Sequence, residues 1–163
     1  MPRQPAPDDL LHLEHFLPYR LSVLANVVSA TIASAYATRH DLTTPEWRVI
    51  AVLAREPGLS AAQVAERTAM DKVAVSRAVA RLLRHRRVSR RAAATDRRRS
   101  RLQLTAAGMA VYNDVSPAAL GYEHELLTVL SSAESRTLDA ALHKLLGRAR
   151  QLATDLIIHA TSN

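Results

Sequence analysis

Arginine dominates the chemistry this chain can do, and it is concentrated in one place. Between Arg77 and Arg101 lie eleven arginines and a single acid, Asp96, a local balance of +10 in a chain whose net charge is +7. The whole chain has 22 bases and 15 acids, so the residues outside that segment hold eleven bases and fourteen acids, a balance of −3. Evenly spread charge would serve solubility; charge focused on one short segment makes a field for a polyanion. A guanidinium can also donate two parallel hydrogen bonds, either to a phosphate or to the edge of a guanine. Stacking platforms for single strands need aromatic faces. This chain has one Trp, one Phe and four Tyr, so duplex is the better match.

Other chemistries fare less well. His12-Leu13-Glu14-His15 has a spacing that can chelate a metal on a helix, but with no thiolate partner these histidines read as surface or interface residues. Glu123-His124-Glu125 reads the same way, and no metal is assigned. The absence of Cys excludes disulfides, thiolate nucleophiles and Cys-ligated metal. No phosphate loop, nucleophile elbow or acid–base constellation is present. An enzyme is therefore not expected, and no cofactor is called for. No apolar run reaches the ~18 residues of a membrane span. The N-terminal MPRQPAPDDL lacks the hydrophobic stretch of a signal peptide, so residues 1–9 read as a disordered lead-in and the protein as cytoplasmic.

The elements that must position the arginines follow from periodicity and capping. With 163 residues, 48% of them apolar, and only four Gly, the composition favours helices around a real core. Leu10, Leu13, Leu17, Leu21, Leu24, Val28 and Ile32 recur at steps of three and four, predicting a long helix to about Ala37, with a kink or break at Pro18. Thr43-Thr44-Pro45-Glu46 fits a capping box for a helix that turns Trp47, Ile50, Leu53 and Ala54 inward and stops at Pro57-Gly58. Ser60-Ala61-Ala62-Gln63 opens a short helix ending near Thr68. Asp71 caps a third, Lys72 to about His85, whose Val75, Val79, Leu82 and Leu83 form one apolar stripe.

Beyond that helix the period changes to two. Val88 and Arg90 lead into a strand, Arg101 to Thr105 alternates polar and apolar, and Ala94 to Ser100 makes a polar hairpin tip. Thr105 caps a helix carrying Met109, Val111, Tyr112 and Val115, interrupted at Pro117 and resuming to about Leu130. Ser131 and Glu134 form another capping box. The last helix spaces Leu138, Leu142, Leu145, Ala149, Leu152 and Leu156 by fours and threes, the repeat of a helix packed lengthwise on another.

The fold class expected is therefore mainly α with a small β-hairpin wing. Residues 43–105 make a winged helix-turn-helix lobe for DNA, and 10–38 with 106–160 a helical region for dimerisation. A helix fits the major groove and reads bases with its N-terminal turns. Lys72, Val73, Ala74, Ser76 and Arg77 are thus the expected base-reading residues, with Arg77 suited to guanine and Val73 and Ala74 to a thymine methyl. Arg81 and Arg84, further along, are expected at phosphate, as are Ser60 and Gln63 at the preceding helix N-terminus. The rival reading is a nonspecific or architectural DNA binder, for which the arginine excess alone would suffice.

The stretch from Asp96 to Gly108, DRRRSRLQLTAAG, resembles the wing motif of the MarR family of bacterial regulators: an Asp, an Arg two places on, alternating apolar residues, then Leu-Thr and a Gly. The block from Leu42 to Arg90 matches in order and spacing, and the resemblance covers roughly Leu10 to Leu156. It implies an obligate homodimer with two winged lobes, acting on a palindromic operator and by family default a repressor. It also assigns the wing tip to the minor groove, with Arg98 inserted, Asp96 holding the wing arginine, and Arg97 and Arg99 at the backbone. In the family small anionic aromatic effectors commonly bind between the lobe and the dimer helices, which here points to Trp47, Arg20 and His15. The family usually has Gly where the recognition helix turns into the wing. Here Arg86 takes that place, and a left-handed cap would cost an Arg about 1 kcal/mol, so a different turn is expected. Pro18 and Pro117 are further departures.

Overall fold

The computed structural model describes residues 11–92 and 100–161. The lead-in at residues 1–9, Leu10 and the hairpin tip with Asp96, Arg97, Arg98 and Arg99 lie outside them. The chain forms two compact units, Met1–Leu120 and Gly121–Asn163.

The first unit opens with α1 (Leu17–Ser34), and Pro18 stands in its first turn. The expected kink inside a longer helix is thus replaced by a helix start. Proline lacks only an N–H that a first turn leaves unbonded anyway, and its fixed φ suits that position. A short helix α2 (Ala37–His40), not foreseen, ends at Asp41 in the left-handed conformation, φ 47°. Tyr36 just before it is buried in the core.

The next three helices form where their caps predict. Thr43 and Glu46 make the capping box of α3 (Thr44–Arg55), Ser60 and Gln63 that of α4 (Ala61–Thr68), and Asp71 caps α5 (Lys72–Arg84). Helix α5 packs on both α3 and α4, and Val49, Ile50, Leu53, Val64, Val75, Val79 and Leu82 interlock at 0–2% exposure. Trp47 and Ala54, expected inside, are half-buried.

Strands β1 (Val88–Ala92) and β2 (Ser100–Leu104) pair antiparallel, Val88 opposite Leu104 and Arg91 opposite Arg101. Leu59 adds a single bridge to Leu102 on the other side of β2, through Gly58 N to Leu102 O and Leu102 N to Leu59 O, both 2.8 Å. Gly58 takes φ 86° there, a conformation glycine adopts without strain. Leu59, Val88 and Leu102 are buried, so the wing base is part of the core.

Helix α6 (Ala106–Leu127) keeps Pro117 within it. The expected interruption does not occur; one missing N–H costs a single intrahelical bond, which a 22-residue helix can lose without ending. Its start is fixed by Thr105, whose Oγ1 accepts from Gly108 N at 3.1 Å and donates to the Arg86 carbonyl at 2.7 Å. The second unit holds the end of α6 and α7 (Ser132–Thr161), capped reciprocally by Ser131 and Glu134. The Ser131 hydroxyl at 2.7 Å and backbone N–H at 2.8 Å both donate to Glu134 Oε2 and hold the Glu134 carboxyl below its usual range.

Candidate nucleic-acid interface

The interface grows from the first turn of α5. Asp71 Oδ1 accepts from the backbone N–H groups of Val73 at 2.9 Å and Ala74 at 2.8 Å, a cap worth about 1 kcal/mol. The buried stripe of Val75, Ala78, Val79 and Leu82 locks one face of the helix against α3 and α4. What remains outward is Lys72, Val73, Ser76, Arg77 and Arg84, with Ala74 half-buried. Val73 is 58% exposed, an apolar side chain standing open beside polar and basic neighbours. An open methyl surface among donors suits a groove floor that mixes acceptors with thymine methyls.

Ser60 and Gln63 occupy one another at the start of α4: Ser60 N donates to Gln63 Oε1 at 2.9 Å and Gln63 N to Ser60 Oγ at 3.3 Å. The Gln63 amide nitrogen and the Ser60 hydroxyl hydrogen lie outside this exchange. With Gly58, Ala62 and Arg101 these two residues line an open cleft of about 450 Å³. Arg101 itself donates to the Gly58 carbonyl at 3.3 Å.

Arg91 and Arg101 were not among the expected contacts. They are exposed and directly opposed across the hairpin, an arrangement unfavourable by itself because like charges face each other. A polyanion on that face relieves it. The signal was present in the sequence, since both arginines lie in the stretches expected to flank the hairpin tip, each five residues from Asp96.

Arg81 is placed differently from the expectation that it faces phosphate. Its Nη2 donates to Asp41 Oδ1 at 2.7 Å, and its Nε lies 3.1 Å from Glu46 Oε1. Glu46 is 1% exposed, and its other oxygen accepts from Thr43 N and Oγ1, both at 2.7 Å. Arg81 is therefore the counter-charge of a buried carboxylate. Its guanidinium, by hydrogen bond and by charge, holds the Asp41 carboxyl below its usual range.

The turn after α5 is left-handed after all, with Arg86 at φ 55°. Arg87 N donates to Leu82 O at 2.9 Å and Arg86 N to Leu83 O at 3.0 Å, the two bonds of a Schellman cap. Arginine here adopts the conformation that glycine takes more cheaply.

The three residues assigned to an effector have the following surroundings. Trp47 stacks between Tyr36, 5.6 Å away, and Tyr112, 6.0 Å away. Arg20 lines a shallow pocket on α1 with Tyr19, Val23, Leu24 and Val27, and His15 is exposed in the turn before that helix. His12 pairs with Glu14 at 3.3 Å. Among the described residues no three His, Asp or Glu side chains gather as a metal site, and no helix is long and apolar enough to cross a membrane.

Residues 40–99 match the family model described as "MarR family". No curated protein matches the chain. Among solved structures, the MarR/EmrR family transcriptional regulator from Acinetobacter sp. ADP1 is 27% identical over 86% of this chain and 99% of its own, with a TM-score of 0.80. The transcriptional regulator of the MarR family from Silicibacter pomeroyi is 26% identical over 83% of this chain and 91% of its own, with a TM-score of 0.74. BpsR of Bordetella bronchiseptica, whose DNA binding is regulated by 6-hydroxynicotinic acid, has the same fold: 21% identity, 83% and 96% coverage, TM-score 0.73. The capped helix α5 and the strand β1 with its arginines lie within the segment that matches the MarR family model, and the chain is similar in sequence and fold to winged-helix transcriptional regulators of that family, which are DNA-binding proteins rather than enzymes.

Proposed function

We propose that the protein is a cytoplasmic homodimeric repressor that reads a palindromic operator, with residues 43–105 as the DNA-binding lobe and 10–38 with 106–160 as the dimerisation region. The observation that carries this reading is the first turn of α5, where a capped helix end presents Lys72, Val73, Ser76 and Arg77 outward while its opposite face is locked in the core. Arg77 takes a guanine, Val73 and Ala74 a thymine methyl, and Ser60, Gln63 and Arg84 the backbone, joined by Arg91 and Arg101 from the hairpin. Asp96, Arg97, Arg98 and Arg99 form the minor-groove anchor. Exposed apolar side chains on α1, among them Leu17, Leu24 and Val27 at 44–56%, and on α7, among them Leu142 and Leu146 at 43–51%, are what a second copy covers. A small aromatic anion is the proposed releasing effector, supported by the structural relative regulated by 6-hydroxynicotinic acid.

The test is selection from a random-sequence duplex library, followed by binding of the enriched and a scrambled duplex. Arg77→Ala should weaken the enriched duplex by about 1–3 kcal/mol, the worth of one bidentate base contact, and barely touch the scrambled one. Equal losses on both duplexes would favour a sequence-blind DNA binder. Adding 6-hydroxynicotinic acid and other aromatic acids to the enriched complex tests release; DNA that stays bound across the panel removes the effector from the reading.

A further inference from the structure

We propose that Asp41 is a positioning residue for base readout: it touches no DNA, but through Arg81 it sets the rotation at which α5 presents Arg77. The proposal rests on the reading of α5 as the base-reading helix.

Arg77 and Arg81 lie one turn apart on α5 and line the same open groove, with Thr43, Pro45 and Glu46 on its far wall. Neighbouring guanidinium groups at this spacing repel. Arg81 is taken out of that contest by two carboxylates from two different parts of the chain. Asp41 Oδ1 and its carbonyl oxygen receive Nη2 at 2.7 and 3.2 Å. Glu46 on α3 receives Nε at 3.1 Å. A guanidinium gripped from two sides resists rotation of the helix that carries it. Rotation is the motion to which base readout is most sensitive, because a bidentate contact tolerates only a few tenths of an ångström.

The Asp41 end of the grip is itself anchored. His40 Nε2 lies 2.7 Å from Asp114 Oδ2 on α6, and Arg39 Nη1 lies 3.1 Å from the same oxygen. Arg87, in the turn leaving α5, donates to the His40 carbonyl. The corner at residues 40–41 thus ties together the middle of α5, the turn after it and α6. Asp41 also holds a left-handed backbone although its side chain is 72% exposed. Glycine would take that backbone more easily, so what aspartate adds at this position is its carboxylate.

That exposure makes a clean test possible. Asp41→Gly leaves no cavity and relaxes the backbone, so the variant should fold with an unchanged or higher melting temperature. Its affinity for the duplex enriched by the wild-type protein should fall about tenfold, part of one bidentate base contact. Affinity for a scrambled duplex should hold or rise, because an acid leaves a basic surface. The salt dependence of enriched-duplex binding should keep its slope, since no phosphate contact is lost. Asp41→Asn, which keeps an acceptor for Arg81, should fall between the two. Tighter or unchanged binding to both duplexes in Asp41→Gly, with their ratio preserved, overturns the positioning role while leaving base readout intact. If the wild-type protein enriches no duplex, base readout fails first and the positioning role falls with it.

Discussion

At the scale of single residues the chain keeps one costly choice in plain view. Arg86 sits at φ 55° in a Schellman cap whose geometry favours glycine. Arg86→Gly should therefore stabilise the fold by about 0.5–1 kcal/mol, the left-handed penalty less the greater freedom glycine has when unfolded. A urea midpoint that rises at constant slope is the expected reading; a midpoint that falls would show that the guanidinium, not the backbone, decides stability there. The departure from the family pattern at this position was legible from its residue type, but how the chain resolves it was not. A residue that prefers another conformation was forced by the bonds of Arg86 and Arg87 to α5 and by Thr105, which reaches back to the Arg86 carbonyl. Arg81 teaches the same lesson. Its type and helix position point to phosphate, but its partners lie 35 and 40 residues earlier in the chain, and no local pattern predicts them.

At the scale of elements, caps were the most readable feature. Thr43, Ser60, Asp71 and Ser131 each start a helix where the spacing of their partners says they should, because a cap is decided by residues within one turn. Prolines were harder: Pro18 begins a helix and Pro117 is absorbed within one. The packing of α6 against the wing supplies a sharp constraint. A Cβ on Gly108 would stand 2.0 Å from the Arg87 carbonyl oxygen and 3.3 Å from Leu104 Cδ2. Gly108→Ala, which in an open helix would gain up to about 1 kcal/mol, should instead cost roughly 1–3 kcal/mol as the first turn of α6 is pushed off the α5–β1 turn. Thermal melting decides between the two signs, and a stabilised variant would refute the close approach. The wing arginines at 91 and 101 also belong to this scale, since only pairing makes them neighbours.

At the scale of the molecule the question is assembly. Helix α7 has no buried residue among those described, and Leu138, Leu142, Leu145 and Leu152 stand 42–45% exposed on a helix whose period suits lengthwise packing. If a second copy covers them, Leu142→Glu with Leu145→Glu should yield a monomer by sedimentation. The same variant should lose affinity for a palindromic duplex by roughly 100-fold or more, since linked half-sites multiply binding, while binding to a single half-site changes little. A variant that stays dimeric would place the dimer contact elsewhere.

Taken alone, the sequence determined the order of elements apart from α2, most of the helix starts, the basic face and the helix proposed to read bases, because each depends on spacings of two to four residues or on local charge. The tertiary structure decided which arginines are left for a partner. It turned Arg81 inward to Glu46 and Asp41, opposed Arg91 to Arg101, bridged Leu59 to the wing, and stacked Trp47 between Tyr36 and Tyr112. The physical reason is common to all four. A buried carboxylate must find a cation, a strand must find an edge and a ring must find a face. Those partners are chosen by proximity in the folded chain, not along it.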